Sequence, residues 1–177
     1  MKYLFVFLLV GLNSSVTGQN RYHVDETTAR DCDYGFYPFK CPVVLKTTQK
    51  PITGIIYFER SNGEWCESHY RDGKLNGISR VWYEKDGQLR NEKRYAYGII
   101  SGPDKAWHQN GQLWLEYNRM GASEEFHGLQ REWYTNGQLE RERTYINGKK
   151  DGLCRKWGEN GELWYEEKWK DGVLISE

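Results

Sequence analysis

Side-chain catalysis needs a nucleophile, a base or a ligand cluster gathered at one place, and this sequence offers little to gather. The four histidines, His23, His69, His108 and His127, are scattered, and no two stand at metal-ligand spacing. No Ser or Cys occupies a nucleophile motif. The glycines stand in turn dipeptides and form no phosphate-binding loop. One acid does recur: Glu92, Glu116, Glu142 and Glu166 each come five residues after a turn glycine. A catalytic acid–base pair occurs once, whereas an acid repeated unit after unit behaves as a structural position facing a neighbouring strand. The sequence predicts a protein without catalysis, metal or cofactor.

Recognition is better served. Arg80, Lys105, Arg131 and Arg155 form a basic row suited to anionic lipid or an acidic polymer; its plainer use is cross-strand pairing with the equally regular glutamates. Charge balance, with 25 basic and 25 acidic side chains, favours that plainer use and gives no pull towards nucleic acid. Trp82, Trp107, Trp133 and Trp157 form an indole row, either a platform for a glycan or envelope polymer or the aromatic ladder of a thin core. Composition favours the ladder: aromatic residues are 15% of the chain and mean hydropathy is −0.87, too little aliphatic surface for a thick core. Trp114 and Trp164, on the opposite parity from Leu113 and Leu163, are the better candidates for exposed contact residues.

These rows exist because the chain repeats. Asn62-Gly63, Asp86-Gly87, Asn110-Gly111, Asn136-Gly137 and Asn160-Gly161 recur at spacings of 24, 24, 26 and 24. A second glycine series, Gly77, Gly102, Gly128 and Gly152, precedes a Trp by five residues each time. Asn-Gly and Asp-Gly between alternating runs predict two-residue type I′ turns in which both central residues take positive φ. A second set of turns, Asp72-Gly73, Tyr97-Gly98, Asn147-Gly148 and Asp171-Gly172, leads from each unit to the next. The expected fold is all-β: an elongated antiparallel array of about five hairpins over residues 52–177. Alternation places Ile78, Arg80 and Trp82 on one face, with their equivalents in later units. On the return strand it places Leu89 and Tyr95 together. Pro103 and Arg119 make the third unit the most irregular, and Pro is expected at an edge or bulge.

The pattern resembles the MORN-repeat variant of the bacterial proteins known as YwqK-family antitoxins. It is matched by Trp133-Tyr134-Thr135-Asn136-Gly137-Gln138-Leu139, Glu142 and Tyr145, then Asn147-Gly148 and Gly152, and covers Ile52 to roughly Gly172. The resemblance implies an extended antiparallel sheet and a scaffolding or partner-binding role. Gly87, Gly111, Gly137 and Gly161 are then structural positions of the repeat, as are the four row indoles. The antitoxin label itself implies little biochemistry.

Residues 1–18 read as a cleavable secretory signal: Lys2, the apolar run Tyr3 to Leu12, then small and polar residues to Gly18. Without a Cys near the cleavage point to carry a lipid anchor, the expected destination is the periplasm or the medium. Residues 19–51 do not repeat and are expected to cap the array. Export permits disulfides, and Cys32 with Cys41 would close a short loop. Cys66 pairing with an N-terminal cysteine, or four free thiols, remain alternatives. Cys66 and Cys154 lie in the first and last units, too far apart to bridge in an extended array. The expected partner is a protein, with a glycan, an envelope polymer or anionic lipid as the other class. The terminal strand from Asp171 to Glu177 is an edge open to self-association.

Overall fold

The structure, a computed structural model, describes residues 19–27, 42–120 and 125–176. The signal segment and the Cys32–Cys41 pair lie outside these residues. The first seven strands in chain order are β1 (Arg21–His23), β2 (Gly54–Glu59), β3 (Trp65–Arg71), β4 (Lys74–Trp82), β5 (Leu89–Ala96), β6 (Ile99–Ile100) and β7 (Pro103–Trp107). The other seven are β8 (Leu113–Met120), β9 (Glu125–Phe126), β10 (Gly128–Trp133), β11 (Leu139–Ile146), β12 (Lys149–Trp157), β13 (Leu163–Lys170) and β14 (Val173–Ser176). They form one open sheet in the order β1-β2-β3-β4-β5-β7-β8-β10-β11-β12-β13-β14, with β6 on β5 and β9 on β8. Only β1 runs parallel to its neighbour. The hairpin array expected from the turn rhythm is the fold observed.

The two sets of turns differ, and here the structure corrects the sequence reading. At Asn110-Gly111, Asn136-Gly137 and Asn160-Gly161 only the glycine takes positive φ, at 88°, 85° and 81°. Gly161 N–H donates to Gly158 O at 2.9 Å, and Gly158 N–H to Glu162 O at 2.9 Å. Glu159-Asn160-Gly161 is therefore a three-residue loop, a tight turn whose last residue is left-handed. Asn stays right-handed because its carboxamide oxygen accepts the N–H two residues on, as in Gln138 N–H to Asn136 Oδ1 at 2.9 Å. The two-residue turns with both residues at positive φ are the linking ones: Asp72-Gly73 (51°, 76°), Tyr97-Gly98 (49°, 88°), Asn147-Gly148 (48°, 77°) and Asp171-Gly172 (50°, 85°). The second unit departs again. Its loop spans 84–87 between paired Tyr83 and Gln88, and the left-handed residue is Asp86 rather than Gly87.

A bulge follows the loop of every hairpin but the first. Trp82 faces Leu89 while Val81 faces Asn91, so Arg90 is an extra residue on its strand. The same insertion falls at Trp114, Glu140 and Trp164. Each bulge reverses the parity of the strand residues beyond it. Leu89 and Tyr95, expected on one face, therefore lie on opposite faces: Leu89 against Trp82, Tyr95 against Gly77.

The face carrying Tyr95 holds the aliphatic core, at the N-terminal end. Val24, Val43 and Ile52 pack with Ile56, Tyr70, Leu75, Tyr95 and Ile100. Val43 N–H donates to Gly73 O at 2.8 Å, and Gly73 N–H to Ile52 O at 2.8 Å, fastening the 42–52 segment to the first linking turn.

The third unit breaks the regular strand. Where β4 and β12 run nine residues, Pro103 opens a new strand and separates β7 from β6. Proline has no N–H for the ladder, so it stands as a first strand residue. The seams around this unit are interrupted: β5 pairs β7 at Asn91↔Ala106 and Glu92↔Lys105 and β6 at Tyr95↔Ile100 and Ala96↔Ile99, while β8 pairs β10 at Arg131↔Glu116 and Glu132↔Leu115 and β9 at Arg119↔Phe126 and Met120↔Glu125.

Candidate functional site

On the face opposite the core, one register row crosses nine strands: Glu67, Arg80, Glu92, Lys105, Glu116, Arg131, Glu142, Arg155, Glu166. Each residue is the cross-strand partner of the next. The contacts are direct. Arg80 Nε donates to Glu92 at 2.7 Å, Lys105 Nζ lies 2.9 Å from Glu116, and Arg131 Nε donates to Glu142 at 2.9 Å. Arg155 Nη1 is 3.6 Å from Glu142, and its Nε donates to Glu166 at 2.6 Å. Arg21 extends the row from β1 by pairing with Glu67 and lying over the Tyr57 ring. Every cation proposed as a binding row thus has a glutamate partner. Such pairs, part-exposed, contribute about 0.2–1 kcal/mol each.

Glu67 and Arg21 were missed by sequence reasoning. The first hairpin has continuous register with no bulge, so its acid arrives four residues after Gly63 rather than five. Beside the charges runs the second row, in which Trp82, Trp107, Trp133 and Trp157 face Leu89, Leu113, Leu139 and Leu163. The four indoles are half-buried.

The loop ends are stitched from unit to unit. The residue after each row indole reaches the carbonyl of the next one: Tyr83 Oη donates to Trp107 O at 3.0 Å, His108 Nε2 bonds Trp133 O at 3.0 Å, and Tyr134 Oη donates to Trp157 O at 2.9 Å. Asn110 Nδ2 donates to Thr135 O at 2.7 Å, and Asn136 Nδ2 to Glu159 O at 3.0 Å. A Cβ on Gly137 would sit 3.0 Å from Gln112 Oε1 of the preceding unit, so the loop glycines serve close approach as well as φ.

Trp114 and Trp164 are both bulge residues and both exposed, at 47% and 59%. Trp114 lies at 6.0 Å from the His108 ring, and Lys156 Nζ stands 4.6 Å over Trp164. Gly158 occupies the seat of Tyr83, His108 and Tyr134. A Cβ there would meet Trp164 Nε1 at 2.8 Å. Trp164 belongs to a larger patch: of the exposed large hydrophobic residues, Leu163, Trp164, Tyr165, Val173, Leu174 and Ile175 all lie on the last hairpin.

Ionisable chemistry is muted elsewhere. Cys66 and Cys154 are buried free thiols, and burial pushes both up from the ordinary range, away from the reactive thiolate. Burial, then the Arg80 charge, holds His69 below its ordinary value. Among the described residues no group of three His, Cys, Asp or Glu is placed to hold a metal ion. No helix of the described residues is long and apolar enough to cross a membrane.

Comparison with protein families matches residues 126–147 and 150–171 to the MORN repeat variant. No curated protein matches the chain. Those residues are similar to MORN-variant repeats, a non-catalytic repeat type that generally mediates interaction with proteins or membranes. The second and third units keep the bulge, the charge row and the indole row, departing from the pattern at Asp86 and Pro103.

Proposed function

We propose that this array of MORN-variant repeats is an exported scaffold for protein–protein interaction that performs no chemistry, and that its last hairpin is the contact surface. One observation carries the reading: exposed apolar side chains concentrate on residues 163–175, while the charges of the repeat face are spent on one another. Contiguous apolar exposure marks interaction sites. Export is supported by the N-terminal signal pattern in the sequence.

The test is affinity capture of the protein from its native envelope or medium, read by mass spectrometry, with wild type beside a Trp164→Ala, Val173→Lys variant. A protein retained by wild type and lost from the variant supports the scaffold. A glycan or cell-wall pull-down runs in parallel, because the exposure of Trp114 and Trp164 favours a polymer reader as the second reading. Retention on glycan that disappears when both indoles become Ala replaces the scaffold with that reading.

A further inference from the structure

We infer that β14 pairs antiparallel with β14 of a second copy of this chain, across a two-fold axis, making one sheet continuous through both molecules. The inference builds on the scaffold reading only in naming the partner of the terminal hairpin.

The two ends of the sheet are unlike. At the first end β1 has three residues and leads into a 3-10 turn, Val24–Glu26, where Val24 and nearby Val43 are fully buried. At the other end, no strand among the described residues lies beyond β14. Its outward row of N–H and C=O groups is a template for another strand.

Edge strands are normally blunted by a charge or a proline, and β14 has neither. It reads Val-Leu-Ile-Ser, and among the described strands longer than two residues it alone lacks a charged side chain. Val173 and Ile175 are 64% and 54% exposed.

That composition selects a second copy. A strand paired with itself about Leu174 sets Leu174 against Leu174 and Val173 near Ile175, so within β14 no charge meets its own sign. A charged edge would repel its copy and need a foreign strand of opposite sign. The β14–β14 contact is isologous and uses the same edge of both copies, while the other end of the sheet offers only β1, three residues long and carrying Arg21. Association therefore closes at two copies. A two-fold axis perpendicular to the sheet also keeps both charge rows on one face. Four residues make a small contact, so the dimer is weak and depends on concentration.

Sedimentation equilibrium on the purified protein over a concentration series tests this. The expected result is a reversible monomer–dimer equilibrium. Leu174→Lys and Leu174→Glu each weaken it roughly tenfold or more by setting like charges face to face, and an equal mixture of the two restores it. Far-UV circular dichroism checks that both variants fold. Amide exchange of wild type supplies a variant-free reading: residues 173–176 exchange more slowly at high concentration than at low. Three outcomes overturn the inference: a wild type that stays monomeric at its highest soluble concentration, variants that dimerise as wild type does, or a mixture that fails to recover. A strict monomer hands the edge to a foreign strand and leaves the scaffold reading standing; failed capture with an intact dimer does the reverse.

Discussion

Arg119 Nε lies 3.9 Å from Oδ2 of Asp104, and the two residues depart from the repeat together. Where Arg119 stands, other units carry Tyr95, Tyr145 or Trp169; where Asp104 stands, they carry Ser79, Gln130 or Cys154. Asp104 is 3% exposed, with Lys93 Nζ at 3.4 Å as a second cation. The carboxylate also pushes the Tyr117 phenol up, behind the larger effect of burial. One ionic exchange has replaced one aromatic contact.

Removing Arg119 leaves the buried Asp104 carboxylate with Lys93 as its cation, and removing Asp104 leaves two part-buried cations facing each other without it. Asp104→Ser or Arg119→Tyr is expected to cost on the order of 1–2 kcal/mol, while the double variant recovers part of the loss. Chemical denaturation of the four proteins measures the coupling.

Position along the charge row sets the worth of each glutamate. Glu142 touches Arg131 and Arg155 and is 18% exposed, whereas Glu166 touches Arg155 and is 46% exposed. Glu142→Gln should cost about 1 kcal/mol and Glu166→Gln less than about half that. Both losses should shrink in high salt, as thermal melts at two ionic strengths would reveal.

Loop chemistry is separable from unit stitching. Gly137→Ala strains a left-handed residue and crowds Gln112, at a cost of about 1–2 kcal/mol. Tyr134→Phe removes only the bond to Trp157 O and should cost about 1 kcal/mol. Urea midpoints should rank the two in that order.

Acid should loosen the last hairpin through Asp151. A hydrogen bond from Lys170 Nζ at 2.8 Å, then one from Asp171 N–H, holds its carboxyl below the ordinary aspartate range. A folded value below the unfolded one stabilises the fold above the unfolded pKa, and that gain is lost as pH falls through the folded pKa. Wild type should therefore melt higher than Asp151→Asn at neutral pH, and the gap should close below the ordinary aspartate pKa.

Turn rhythm, repeat number and the reading of the recurrent glutamates as structural were legible in the residues, because each rests on local preferences repeated at fixed offsets. The faces were not. A single extra residue at Arg90, Trp114, Glu140 or Trp164 reverses every later side chain, and no residue type shared by those positions announces it. The same parity hid Glu67, whose hairpin lacks the bulge. The Asn-Gly pairs signalled a turn correctly but not its length, which the Asn carboxamide decides by capping a backbone N–H. Exposure of Val173 and Ile175 depends on strand order, which alternation along one strand does not encode.

Pairing only between strands near in sequence means that force or heat need not attack the whole sheet at once. The seams on either side of the third unit are each zipped in two pieces: Asn91↔Ala106 and Glu92↔Lys105 with Tyr95↔Ile100 and Ala96↔Ile99 before it, and Arg131↔Glu116 and Glu132↔Leu115 with Arg119↔Phe126 and Met120↔Glu125 after it. Opening one piece would leave the other paired, so the ladder can yield by steps at this unit while the blocks on each side stay zipped.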